Sequence, residues 1–258
     1  RVRLHSAFAE GSYVGNKFLA SFIRDIQNVS TLKELPSLYK SGQANWNNNR
    51  YELSFLFHNT KDVLSFFAPG AYIADSTALS MKITADGQMK ANVKSGRIAL
   101  KDKYLKGIKL SADNASGKLG GVMTIGELSA GPIKTMANKL SFNADADSLS
   151  VDFSYDNKTE LENRGVIHLG GNIFRDENDT LRAKFRFFPS HILLNGAKWD
   201  ISSSDISFGG SDINIGNLSI HGDNQSIVLS GGYSPTMADT LRLKMDKFDI
   251  SMLNAFSK

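Results

Sequence analysis

The chain has 258 residues, of which 41% are apolar and 22% charged, and a net charge of +4. That is enough chain for one large unit or two compact domains with a sizeable core, and the composition is not that of a disordered segment. Cysteine is absent, which excludes disulfides, thiolate nucleophiles and cysteine metal sites.

The basic residues are scattered. Lys101, Lys103 and Lys106 form the densest group, followed by Arg182, Lys184 and Arg186, which falls short of the patch a nucleic-acid binder needs. No run of about 18 apolar residues is present, so no membrane-spanning helix is expected in this sequence. The opening Arg1-Val2-Arg3 has neither an initiator methionine nor a signal peptide and reads as a fragment or processed product.

In chain order, the first expected element is a helix over 17–38. Phe18, Leu19, Phe22, Ile23 and Ile26 fall at helical spacing there, and Pro36 closes it. The first 50 residues otherwise show little pattern. A strand follows with Tyr51, Leu53, Phe55 and Phe57 alternating. Asn59 or Thr60 then caps a short helix over 61–67, with Asp62 in its first turn, and Pro69-Gly70 stops it. Residues 1–75 thus read as a strand and helix segment, part of the same unit or a junction, ahead of a β region at 76–258.

From there alternate positions are apolar in segment after segment. Leu79, Met81 and Ile83 lead to Met89, Ala91 and Val93, then Ile98 and Leu100, then Ile108, Leu110 and Ala112, then Met123 and Ile125. Leu140 and Phe142 begin a longer stripe that continues through Val151, Phe153, Ile167 and Leu169, then Leu181 and Phe185, Ile192 and Leu194, Ile201 and Phe208. It ends with Ile213, Ile215, Ile220, Ile227, Leu229, Leu241 and Leu243. A period of two puts each set on one face of its strand. The intervening Ser, Asn, Asp, Lys and Thr give the other face to water, as in antiparallel sheets. Turn signals such as Asp86-Gly87, Asp156-Asn157-Lys158 and His221-Gly222-Asp223-Asn224 recur every 8–12 residues or so. The pairs Gly120-Gly121, Gly170-Gly171, Gly209-Gly210 and Gly231-Gly232 point to a curved sheet, since glycine inside a strand marks bulges and bends. The expected fold class is all-β: an elongated, curved antiparallel sheet forming a groove, with one or two short helices in the N-terminal third.

Signals for chemistry are weak. The five histidines, His5, His58, His168, His191 and His221, lie far apart, and neither an HExxH nor a GxSxG motif occurs. Glu52, Glu127, Glu160 and Glu162 do not single out a catalytic pair. Asp176-Glu177-Asn178-Asp179 and Asp200 with Asp205 supply oxygen ligands without EF-hand spacing. No catalytic residue, metal or cofactor is expected. The 16 phenylalanines against 2 tryptophans suit a dry core or acyl chains better than sugar-stacking platforms.

Several ordered phrases carry a family likeness. Pro189-Ser190-His191-Ile192-Leu193-Leu194-Asn195-Gly196 leads into Trp199-Asp200-Ile201. Ile213 to Leu218 reads INIGNL, and Asp223-Asn224-Gln225-Ser226-Ile227 enters Leu229-Ser230-Gly231. Asp239-Thr240-Leu241 and Phe248-Asp249-Ile250-Ser251-Met252-Leu253 close the run, and His58-Asn59-Thr60-Lys61-Asp62 through Pro69-Gly70 belongs to the same style. Together these resemble the AsmA-like group, specifically the translocation and assembly module (TamB) family in its Bacteroidetes type, most strongly from residue 165 onward. The resemblance implies a β-taco groove with an apolar concave side, lipid transport and outer-membrane biogenesis in a Gram-negative periplasm, and an inner-membrane anchor upstream of this fragment. It implies phospholipid acyl chains as partners, lying against the stripe from Leu140 to Leu243, and an outer-membrane barrel assembly protein engaged through a region outside the fragment. By pattern alone two alternatives stay open: a closed β-sandwich adhesion module, and a glycan-active enzyme on a β scaffold.

Overall fold

The structure is a computed structural model and describes residues 2–15, 50–84, 88–130, 133–145, 148–158, 160, 162–177, 180–235 and 240–251. The chain is all-β, mostly strands in a many-stranded antiparallel arrangement with a single short helix among the described residues. Its contacts divide it into two compact units, the first running to Asn143 and the second from Ala144 onward. The expected helix over 17–38 and the hairpin turn at Asp86-Gly87 lie outside the described residues.

The first unit holds β1 (Val2–His5), β2 (Ala9–Gly15), β3 (Tyr51–Phe57), helix α1 (Thr60–Phe67), β4 (Ala71–Ile73), β5 (Thr77–Ile83), β6 (Met89–Leu100), β7 (Lys103–Asp113), β8 (Leu119–Ala130) and the larger part of β9 (Ile133–Asp145). Residues before and after 75 share this unit, because β3 pairs with β5. Across the strands the register forms clean rows. Leu4, Gly11, Phe55, Leu79, Val93, Leu110 and Met123 stand opposite one another in turn, and so do Tyr13, Leu53, Met81, Ala91 and Ala112. Between these apolar rows runs a polar one of Arg3, Ser12, Ser54, Ser80, Asn92 and Ser111. Paired residues share a face, so alternation sorts this sheet into an apolar side and a wet side.

β1 and β2 fall where the sequence pattern is faint. On β2 the apolar side is carried by Ala9, Gly11 and Tyr13, and the ring of Phe55 covers Gly11, where a Cβ would stand 2.6 Å from it. A phenylalanine on the neighbouring strand does the work that a large residue at position 11 would have announced.

The helix starts differently from expectation. Asn59 adopts a left-handed conformation and its side chain makes no cap bond. Its N–H instead donates to Asp75 Oδ1 at 2.7 Å, and Thr60 Oγ1 donates to the Ile73 carbonyl at 2.7 Å. Both polar groups are spent on tying α1 to the β4 segment, so tertiary contacts replace local capping.

The second unit contains β10 (Ser148–Asp156), β11 (Arg164–Arg175), β12 (Leu181–Phe187), β13 (Ser190–Leu194), β14 (Ala197–Ile201), β15 (Ser204–Gly209), β16 (Asp212–His221), β17 (Ser226–Tyr233) and β18 (Leu241–Asp246). Here long strands pair with broken ones. β11 pairs with β12 through its second half and with β13 through its start. β16 pairs likewise with β15 at one end and β14 at the other. Its pairing with β17 shifts by one residue between Ile215 and Leu218. That bulge keeps Ile213, Ile215, Leu218 and Ile220 on one side although their numbers change from odd to even.

Candidate functional site

The candidate site is the apolar face of each unit. In the second unit the register places Val151, Phe153, Ile167 and Leu169 on one face, with Phe153 opposite Ile167 and Val151 opposite Leu169. Phe185 stands opposite Ile206 on that face, and Phe208 opposite Ile213. Leu181 joins Phe185 by alternation along β12. Ile192 is opposite Trp199, Leu194 is opposite Ala197, and Ile201, Ile220 and Ile227 follow in one row. Leu229 faces Leu243, and Leu241 continues along β18. Leu140 and Phe142 belong to the first unit, where the Phe142 ring covers Gly121 beside Ala112.

Burial along the face is uneven. In the second unit one end is closed: Tyr155, Ile192, Leu194, Trp199 and Ile201 are all buried, Trp199 to 1% exposure. Phe248 stacks edge-on against Trp199 at 5.7 Å. The opposite end is open, with Leu181, Phe208, Ile213, Leu241 and Leu243 between 38% and 60% exposed. Val151, Leu169, Phe185, Ile215, Ile227 and Leu229 are half-buried. A sealed core of this composition would bury them fully. The first unit is closed at both ends. Ala9, Thr77, Ser95, Ile108 and Ile125 are buried at one, beside a crease in the sheet. Tyr13, Tyr51 and Ile83 close the other, while Leu53, Phe55, Leu79, Met81, Val93, Leu110 and Met123 stay half-buried.

Each face is bounded by a crease. In the first unit the pairs on either side place Gly96, Gly107 and Gly126 opposite one another on β6, β7 and β8. Gly107 has φ +67°, and Ala137 on β9 and Ser76 before β5 are also left-handed. The apolar set changes parity at this line on all three strands, from Val93 to Ile98, Leu110 and Ile108 to Leu105, and Ile125 to Leu128. Small polar residues are buried beside it. Thr77 Oγ1 lies 2.6 Å from Ser95 Oγ, and Thr135 donates to Asn138 Oδ1 at 2.6 Å.

In the second unit the breaks between β12 and β13 and between β14 and β15 take this role, with Ser190, Ser204 and Ser219 buried at 7%, 6% and 7%. His168 N–H donates to Ser190 Oγ, Asn217 N–H donates to Ser204 Oγ, and Ser202 N–H donates to the Ser219 carbonyl. The sequence reading assigned such serines and threonines to the wet face. These are buried because interrupted ladders leave backbone groups that need partners. The glycine pairs also differ from expectation. Gly121, Gly170 and Gly171 lie beneath the rings of Phe142, Phe188 and Phe185, so the first two pairs make room for aromatic rings while the crease lies elsewhere.

The residues considered for chemistry are engaged otherwise. Asp176 accepts from Thr180 N–H and Arg182 Nε, Asp200 pairs with Lys198, and Asp205 takes both ends of the Arg186 guanidinium. His168 Nδ1 lies 2.6 Å from Asp152 on the wet face. Glu127 accepts hydrogen bonds from Lys134 at 2.8 Å and from Tyr104, and these hold its carboxyl below the usual carboxylate range. A general acid needs the opposite shift. Two troughs lie on the wet faces. One in the first unit, about 600 Å³, is lined by the Leu4–Val93 row and the rows on either side of it, with Arg3, Ser12, Ser80 and Lys94 beside Leu56 and Ala78. One in the second, about 560 Å³, is lined by Asn172, Lys184, Arg186 and Phe188 among others. No protein-family model, curated protein or solved structure matches the chain.

Proposed function

We propose that the chain is a non-enzymatic segment of a TamB-type, AsmA-like envelope protein, whose apolar faces carry phospholipid acyl chains through the periplasm in support of outer-membrane biogenesis. The observation that carries the reading is the half-exposed stretch of Leu, Ile, Val and Phe, lying beyond the closed end of the second unit and between two buried rows in the first. Such a surface is unfavourable in water, and each CH₂ of an acyl tail it removes from water contributes about 0.8 kcal/mol. Apolar contact is non-directional, so a tail slides without being trapped, while the head group keeps to solvent. In the parent protein an inner-membrane anchor and a contact with an outer-membrane barrel assembly protein lie in other regions.

The test is native mass spectrometry of chain purified without detergent, with lipid extraction alongside. Bound phospholipid is expected. Phe185→Glu, which sets a charge on the apolar face, lowers the bound lipid, whereas Ser207→Glu, one position off on the wet face, leaves it unchanged. Lipid-free protein throughout, or equal behaviour of the two variants, overturns the reading.

A further inference from the structure

One end of the first unit gathers exposed apolar and cationic side chains beyond the buried rows of its apolar face. Helix α1 runs back along β4. Thr60 is bonded to Ile73 at its start, and just past its end the Lys101 N–H donates to the Gly70 carbonyl at 2.7 Å. That bond sets Phe66 and Phe67 within a few residues of the β6–β7 turn. Both phenylalanines are 78% exposed and stack edge-on at 4.9 Å. Leu100 at the turn is 56% exposed, and Ile133, at the β8–β9 tip next to it, is 50% exposed. The register supports this neighbourhood, since Leu100 faces Lys103 and Tyr104 faces Ser129.

Two cations flank this apolar tip, and a third stands further back on the other face of β6. Among the described residues Lys101 and Lys103, at the β6–β7 turn itself, have no carboxylate partner, and the nearby acids are Asp102 and Glu127, the last already held by Lys134. The Arg97 guanidinium lies 4.5 Å over the Tyr104 ring and 5.9 Å from that of Tyr72. Stacking fixes its plane on the face of β6 opposite Leu100.

Two classes of partner compete for such a surface. Protein interfaces are depleted in lysine at their centres, whereas lipid interfaces combine inserted aromatic side chains with lysines and arginines that reach the phosphates. We propose that this tip docks the chain on an anionic phospholipid surface, with Phe66, Phe67 and Leu100 entering the interface and Lys101 and Lys103 meeting lipid phosphates. The inference goes beyond acyl-chain carriage and does not depend on it.

The experiment is flotation of the full chain with vesicles of phosphatidylethanolamine and phosphatidylglycerol, and with neutral phosphatidylcholine vesicles. Binding to the anionic vesicles is expected, weakening as salt screens the cations. The double variant Phe66→Ser/Phe67→Ser and the double variant Lys101→Glu/Lys103→Glu each reduce partition about tenfold. Lys94→Glu/Lys109→Glu makes the same charge change on the wet face away from the tip and leaves binding within about twofold, as a local site requires. Absence of binding by the wild-type chain, equal loss in both lysine pairs, or full displacement by free inorganic phosphate overturns the proposal. A tip that ignores vesicles and self-associates points to a protein partner instead, and also overturns it. The lipid found by native mass spectrometry does not change in the tip variants, so failure of either reading is seen separately.

Discussion

The two units turn their sheets by different means. In the first, long strands run through the crease, and left-handed backbone at Gly107 on β7 and Ala137 on β9 lets them do so. In the second, the strands between β11 and β16 stop and restart, and buried serines bond the groups the interruption exposes. Continuity keeps the ladder but demands a left-handed backbone at single positions of the bend, such as Gly107. Interruption tolerates ordinary residues but needs hydroxyls inside. Both leave a half-exposed apolar stretch, bounded by buried rows at both ends in the first unit and open at one end in the second.

The closed and open ends differ most in what a truncation should cost. Trp199→Ala removes a ring that is 1% exposed and packed on Phe248, and the expected loss is about 3–5 kcal/mol in denaturant unfolding. Phe208→Ala, at 41% exposure, is expected to cost less than about 2 kcal/mol. Equal losses would erase the distinction between the ends.

Titration probes the same closed cluster. Burial pushes the Tyr155 phenol up to about 12, so the fold favours the neutral form. Its contribution is intact below the ordinary tyrosine value near 10 and is lost as pH climbs from there toward 12. Alkaline unfolding of Tyr155→Phe should therefore be less steep over that window than that of the wild type. Matching curves would show that the phenol does not sense the cluster.

The creases separate next. Gly107→Ala forces an L side chain into φ +67° and should cost about 1–2 kcal/mol. Gly96→Ala on the adjacent strand meets only Ala74 at 3.6 Å and should stay within about 0.5 kcal/mol of wild type. A thermal melt showing the reverse order would place the bend elsewhere. The smallest effect belongs to the wet face. Arg186→Gln breaks a two-pronged pair with Asp205 in which both side chains are more than half exposed, and it should leave the melting temperature unchanged, since solvent screens such pairs. A clear drop would mean that the wet face contributes to the fold.

Alternation made the strands from Tyr51 onward and the choice of face legible in the sequence, because a period of two survives any curvature between bends. It failed where the face is built from small residues, as at Ala9 and Gly11, since the covering side chain sits on another strand. It also failed at the creases. Ser190, Ser204 and Ser219 look like solvent-facing serines until the broken pairings are known, and these are long-range facts. The parity change from Ile215 to Leu218 was visible, but its cause, a one-residue shift against β17, was not. The tip is harder still to read, because Phe66 and Phe67 sit in an ordinary amphipathic helix pattern and only the fold leaves them uncovered.

The serine-bonded corners of the second unit carry one more implication. Their angle is set by directional bonds between hydroxyls and main chain, at Ser190 to His168 and at Ser204 to Asn217, and not by how much oil fills the space between the walls. Bonds of this kind resist splaying, so under the proposed carriage of acyl chains the corner is expected to hold its angle with or without a tail beside it.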